Sequence, residues 1–177
     1  MINDLDEISK LESGQIKVNS SSFEVSTLVN EIIDLFTERL KTAHIKIVFK
    51  KDGLFKTTVF ADMNKIRQVF YNLIDNAIKY AKVNGTIKIT CFEMDDRILI
   101  EVTDDGIGIA EQHLSRVFER FYRTDSSRSR QIGGSGLGLA IVKHIIEAHQ
   151  QTINVRSTEG IGTTFAFTLP MAKKKYS

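Results

Sequence analysis

Two asparagines four residues apart, Asn72 and Asn76, share the segment Asn72-Leu73-Ile74-Asp75-Asn76-Ala77-Ile78-Lys79-Tyr80 with a lysine and a tyrosine. On a helix, Asn72, Asn76, Lys79 and Tyr80 fall within an arc of about 100°. Ile66, Phe70, Leu73, Ala77 and Ala81 take the neighbouring arc and face a core, so the polar set borders a cleft. Neutral amide oxygens suit magnesium, a hard cation that keeps some waters and shares phosphate oxygens. A lysine adds a point charge for the phosphates themselves. By itself this helix could equally be an ordinary solvated face.

Two glycine-rich segments complete the chemistry. Asp104-Asp105-Gly106-Ile107-Gly108 follows an alternating apolar run, and Gly133-Gly134-Ser135-Gly136-Leu137-Gly138-Leu139 opens a helical one. In the first, a carboxylate can accept from an exocyclic amino group while glycine lets a base lie against bare backbone. Read alone it could be an acidic turn. In the second, free N–H groups and the helix dipole favour phosphate. It is not a Walker loop, since no Gly-Lys-Ser/Thr occurs, and its glycine spacing is not that of a dinucleotide fingerprint.

The elements that must position these residues can be read from periodicity. Val25, Leu28, Val29, Ile32, Phe36 and Leu40 predict one helix over residues 23–43, and Ile45, Ile47 and Phe49 alternate as a strand does. Asp62 is placed to cap a helix running to about Lys82. Thr86 to Met94 and Arg97 to Thr103 alternate across Asp95-Asp96, which predicts a hairpin. Leu137 to His149 reads as another long helix, and Thr152 to Arg156 and Thr163 to Leu169 as strands joined through Gly160 and Gly162. This order predicts an α/β two-layer sandwich, with three long helices on one face of a mixed, largely antiparallel sheet. Residues 109–136 read as a long binding loop or lid. Its first half is aromatic, with Phe118, Phe121 and Tyr122, and its second half, Thr124 to Arg130, is wholly polar. Ile2, Leu5, Ile8 and Leu11 form a short apolar stripe closed by Gly14, which reads either as a helix packed on its own domain or as the end of a longer helical hairpin.

Composition narrows the class. The chain has 177 residues, 42% apolar and 26% charged, a normal globular balance and one ordinary domain with a short appendage. A net charge of +2 gives no reason to expect nucleic acid. The single cysteine, Cys91, excludes an internal disulfide. No apolar run reaches membrane-spanning length and the first residues are too acidic for a signal peptide, which points to soluble, cytoplasmic chemistry. His144 and His149 lie five apart, about 140° round a helix, and match no zinc-helix pattern.

In order, the chain supplies Asn72 to Tyr80, Asp104 to Gly108, Phe118-Glu119-Arg120-Phe121-Tyr122-Arg123, Gly134 to Leu139 and Gly160-Ile161-Gly162-Thr163. This succession resembles the asparagine, first glycine, phenylalanine and second glycine boxes and the final glycine-threonine turn of sensor histidine kinases. The resemblance covers about Ile8 to Leu169 and implies that family's Bergerat ATP-binding fold. It implies residues 1–14 as the end of a dimerisation hairpin and 15–177 as the catalytic domain, with ATP and magnesium as cofactors. Asn76, with Asn72 beside it, would hold the metal. Lys79 and Arg123 would contact phosphates, and Tyr80 would wall the nucleotide. Asp104 would read adenine, with Gly106, Gly108 and Ile109 close to the base and Thr163 nearby. Gly134, Ser135, Gly136, Leu137, Gly138 and Leu139 would bind phosphate and anchor the lid.

The partners implied are a phosphoacceptor dimerisation domain and a response regulator receiver domain. The parent protein would be a membrane-anchored homodimer with this domain in the cytoplasm, and this chain alone a monomer. The acceptor histidine itself is missing: His44, His113, His144 and His149 are the only histidines, and none sits in such a hairpin. Hydrolysing and serine-kinase members of the wider superfamily are similar to one another in carrying a glutamate base four residues before the magnesium asparagine. That place is Asn72 here, and an amide takes no proton from water at neutral pH. A hydrolase or serine kinase of that superfamily, and a non-catalytic nucleotide sensor, are the alternatives to a histidine kinase.

Overall fold

The structure is a computed structural model that describes residues 2–14, 16–52, 57–124 and 133–173. After α1 (Ile2–Glu12) the chain runs β1 (Ser21–Glu24), α2 (Val25–Leu35), α3 (Thr37–Thr42), β2 (Lys46–Asp52), β3 (Thr58–Ala61) and α4 (Met63–Lys79). It continues through β4 (Thr86–Met94), β5 (Arg97–Asp104), a single turn α5 (Glu111–Leu114), α6 (Gly138–Ala148), β6 (Ile153–Thr158) and β7 (Gly162–Pro170). Five strands form one sheet in the order β2-β4-β5-β7-β6, with β2 parallel to β4 and every other pair antiparallel. The β4–β5 hairpin turns at Asp95, whose φ of 42° lies in the left-handed region that aspartate tolerates better than most residues.

One face of this sheet is buried under helices. Val25, Leu28, Val29 and Ile32 of α2, Ile66, Phe70 and Leu73 of α4, and Ile141, Val142 and Ile145 of α6 share a single core with Ile87, Ile89, Ile98, Ile100, Phe165 and Phe167. The opposite face carries polar pairs such as Arg156–Glu101 at 2.9 Å and Thr103–Thr164 at 2.9 Å. The predicted α/β sandwich is therefore the fold. Side-chain alternation along β5 has a direct consequence for the site. Asp104 shares the parity of buried Ile98, Ile100 and Val102, so it ends the strand on the helix-covered side.

Two features differ from the sequence reading. The helix expected over residues 23–43 is broken. Phe23 lies in β1, which pairs with β3 as a separate two-stranded sheet (Phe23 opposite Val59), and the helix starts only at Val25. It stops at Phe36, whose φ of −96° and ψ of 1° leave the helical region. α3 then sets off with Leu40 N–H donating to Phe36 O at 2.9 Å. The apolar period continues across the break because Phe36 and Leu40 still reach the core, at 1% and 6% exposure. Periodicity reports burial and is blind to a kink that preserves it. The strands β1 and β3 escaped notice because four residues are too few for alternation to register.

Asp62 caps α4 as expected, accepting from Lys65 N–H at 3.2 Å, while Asp62 N–H donates to His149 Nε2 at 3.0 Å. α1 lies against α6 with Ile8 buried in the common core and Leu5 half-exposed, and Glu12 pairs with Arg120 at 2.6 Å. The side chains of Ile2 and Leu11, the rest of the predicted stripe, lie outside those described.

Candidate functional site

A cavity of about 340 Å³, the size of a small-molecule site, opens between α4, the start of α6, and the ends of β5 and β7. Asn72, Asn76, Lys79 and Tyr80 line it, with Asp104, Gly108, Ile109, Arg123, Gly134, Ser135, Gly136, Gly138, Leu139 and Thr163. Sixty residues of chain separate Asn76 from Gly136, and the fold brings them to one place by laying α6 beside α4. Asn72 closes this junction, its amide nitrogen donating to Gly138 O at 3.4 Å.

Gly106 and Leu137 do not line the cavity. The Gly106 N–H donates to Asp104 Oδ1 at 2.9 Å, and its Cα lies so close to the Tyr80 carbonyl that a Cβ would meet that oxygen at 2.3 Å. Leu137 is 1% exposed and its N–H is taken by Ser135 Oγ at 3.3 Å. Both residues shape the wall from behind. Gly108 is a different case. Its φ is +70°, and a Cβ there would sit 2.1 Å from Thr158 O, so only glycine permits the turn that carries Ile107 and Ile109 past the cavity.

Asp104 is the most perturbed group of the site. It is 7% exposed, and burial pushes its carboxyl up to about 6, against hydrogen bonds from Gly106 and Thr163 backbone N–H groups that favour the charged form. Opposite it in register stands Thr163, whose hydroxyl pairs with Ser157 Oγ at 2.8 Å. Ser157 Oγ also accepts from Ile109 N–H at 2.8 Å. Nothing in the sequence marked Ser157, yet it ties the first glycine segment to β7.

On the other side, Arg123 donates to Gly134 O at 3.3 Å and Gly133 O at 3.2 Å, joining the two ends of the long loop across residues 125–132, which are outside the described set. Phe121, at φ 62°, hydrogen-bonds through its N–H to Gly136 O at 3.0 Å. Lys79 Nζ lies near the same glycines, 3.8 Å from where a Gly134 Cβ would be. It also pairs with Asp75 at 2.8 Å. Asp75, Tyr71, Ile107, Val117, Tyr122, Thr124 and Gly133 line the cavity too. All but Tyr71 fall within the motifs or the binding loop read from the sequence, where none was given a role of its own. For Asp75 the signal was available, since it stands one turn before Lys79 on the same helix.

An α/β sandwich that opens a glycine-walled cavity beneath an asparagine-bearing helix is the architecture of an ATP-binding domain. The chain belongs to the histidine kinase-, DNA gyrase B-, and HSP90-like ATPase family, whose model matches residues 61–173. Its relatives are sensor histidine kinases. It is 38% identical over 179 residues to sensor histidine kinase WalK of Bacillus subtilis and 39% identical over 176 residues to sensor-like histidine kinase SenX3 of Mycobacterium tuberculosis. Each match takes in 99% of this chain but only 29% and 42% of the relative, so the chain spans less than half of either. Among solved structures it resembles the nucleotide-free catalytic domain of histidine kinase ThkA, with a TM-score of 0.75 and 32% identity over 86% of this chain and 95% of that one. It also resembles full-length ShkA in complex with AMPPNP, with a TM-score of 0.86 and 27% identity over 98% of this chain and 36% of that one.

Proposed function

We propose that this domain binds magnesium-ATP in the cavity and presents the γ-phosphoryl group to a histidine on a dimerisation domain outside this chain, for relay to a response regulator aspartate. The observation that carries the reading is the convergence of a buried carboxylate, two helical amides and a glycine-rich helix start on one cavity. Asp104 would accept from the adenine amino group, with Gly108, Ile109 and Thr163 against the base and Tyr80 as a side wall. Lys79, Arg123 and the N–H groups of Gly134 to Leu139 would hold the phosphates. A structure of ThkA in complex with response regulator protein TrrA, 27% identical to this chain, supports the downstream partner.

The donor set fits a magnesium ion that arrives with its nucleotide. Among the described residues no group of three His, Cys, Asp or Glu side chains could hold a metal. The neutral amides of Asn76 and Asn72 would leave most coordination positions to phosphate oxygens and water, as magnesium prefers. Bound there, the ion supplies charge neutralisation at the phosphates. The protein's own residues position the nucleotide. Of the cavity carboxylates among the described residues, Asp104 is held by backbone N–H groups and Asp75 by two cations, so neither is free to activate water. That arrangement favours transfer to an external nucleophile over hydrolysis.

Titration calorimetry tests the reading. ATP should bind with magnesium and markedly more weakly in excess chelator, while Asn76→Ala should lose the magnesium dependence and keep adenosine binding. Equal binding of ATP with and without magnesium by the parent would refute the proposed metal site.

A further inference from the structure

The carboxylate of Asp75 lies in the cavity wall and is held from two sides. Oδ2 pairs with Lys79 Nζ at 2.8 Å, and Oδ1 pairs with Arg39 at 2.7 Å. Arg39 belongs to α3, is half-exposed, and does not line the cavity. Its place is set by the break at Phe36. Beyond the kink Arg39 reaches Asp75 of α4, and its guanidinium lies 5.2 Å from the Phe36 ring centroid, which is itself 4.9 Å from that of Tyr71 of α4. Resting on nucleotide binding as read above, we infer that Arg39 is a positioning residue for the phosphate site. It neutralises Asp75 from behind, so that Lys79 keeps its positive charge for the triphosphate.

The charges make the case. An anion in the wall of a triphosphate site repels the ligand and competes for Lys79, which lies beside the glycines. With Arg39 in place, the trio of Arg39, Asp75 and Lys79 carries one net positive charge. Without Arg39 it carries none, and Asp75 is left to pair with Lys79 alone. Without Asp75 it carries two, and without both Arg39 and Asp75 it returns to one. Partly exposed ion pairs contribute little to stability, so a purely structural tie between α3 and α4 would be a weak use of this geometry. Their effect on a multiply charged ligand a few ångströms away is larger, because the fields of all phosphate charges add.

Calorimetry with ATP, and separately with adenosine, on the parent and four variants decides the matter, with circular dichroism confirming that each is folded. At low ionic strength Arg39→Gln should weaken ATP roughly 5- to 20-fold and leave adenosine within about twofold, and the deficit should shrink in high salt. Arg39→Lys should stay near the parent. Asp75→Asn should bind ATP as tightly as the parent or more tightly, and the double variant Arg39→Gln/Asp75→Asn should recover the parent affinity. A double variant as weak as Arg39→Gln would show that the bridge only ties two helices together and would overturn the inference. An unaffected Arg39→Gln, or an equal loss for adenosine, would overturn it as well. Failure of the parent to bind ATP at all would remove the nucleotide reading itself, and this inference with it.

Discussion

In the proposed reading Asp104 is the residue that recognises the base, and it is the most perturbed group of the cavity. Its parity on β5 sends it into the helix-covered layer, where burial raises its carboxyl to about 6. Guanine presents a carbonyl oxygen where adenine presents an amino group, so the ionised carboxylate should favour ATP over GTP. A hydrogen bond to a charged group is worth roughly 1.5–3 kcal/mol, so Asp104→Ala should weaken ATP by about 10- to 150-fold and erase the preference. Titrating both nucleotides into both proteins checks this, and an unchanged ATP-to-GTP ratio would move the base elsewhere. The pH dependence follows from the same shift. Because the folded value is raised, Asp104's contribution to stability is fully present below the unfolded value of 3.8 and lost as pH rises through about 6. Base binding as proposed runs the other way, since the charged form is the stronger acceptor for the adenine amino group. Adenosine affinity should rise through pH 6 and level off above it, being about tenfold weaker at pH 5 than at pH 8. A flat profile over that range would mean that the protonated acid serves equally well. The residues that line the cavity were legible in the sequence through the order of five motifs, since each motif alone had an ordinary structural use. Ser157 and Tyr71 were not, because a serine on a strand and a tyrosine on a helix have many ordinary uses.

At the scale of elements, the hairpin β4–β5, the capped helix α4 and the final pair β6–β7 follow from alternation, an aspartate cap and glycine turns, and each was predicted to within a few residues. The parallel pairing of β2 with β4 could not be predicted, because pairing partners are chosen by tertiary packing and leave no local trace. The same holds for the break between α2 and α3, beyond which Arg39 pairs with Asp75. The loop between α5 and α6 is anchored at its described ends by Phe121 N–H to Gly136 O and by Arg123 to the Gly133 and Gly134 carbonyls. At Gly136, φ is +72° and a Cβ would lie 2.9 Å from Phe121 Cα, so the two ends approach as closely as backbone allows. If this loop closes over a triphosphate, amide exchange over Phe121–Thr124 and Gly133–Leu139 should slow when AMPPNP saturates the site. Unchanged exchange there at saturation would leave Arg123 a latch for the loop and not a phosphate ligand.

At the scale of the molecule, the placement of the four histidines decides what this chain can do alone. None of them lines the cavity. His149 has both ring nitrogens engaged, Nε2 by Asp62 N–H at 3.0 Å and Nδ1 by Ile145 O at 2.7 Å, and His113 Nδ1 is paired with the Tyr122 hydroxyl. His44 sits at φ 54° in the turn after α3, and His144 lines a separate groove beside Phe118 and Lys143. A nucleophilic imidazole needs an unshared pair within reach of the γ-phosphorus, and none of the four histidines lines the cavity in which the triphosphate is proposed to lie. Incubation with γ-labelled ATP should therefore leave no acid-labile label on the isolated chain, and little free phosphate. Supplying a helical-hairpin dimerisation domain that carries the acceptor histidine should produce label on that domain, and Asn76→Ala should abolish the transfer. Robust labelling of His44, His113, His144 or His149 would contradict the division of labour between the two domains. Rapid phosphate release without an acceptor would point instead to a hydrolase, with water reaching a base that the bridged Asp75 and the amide of Asn72 do not provide.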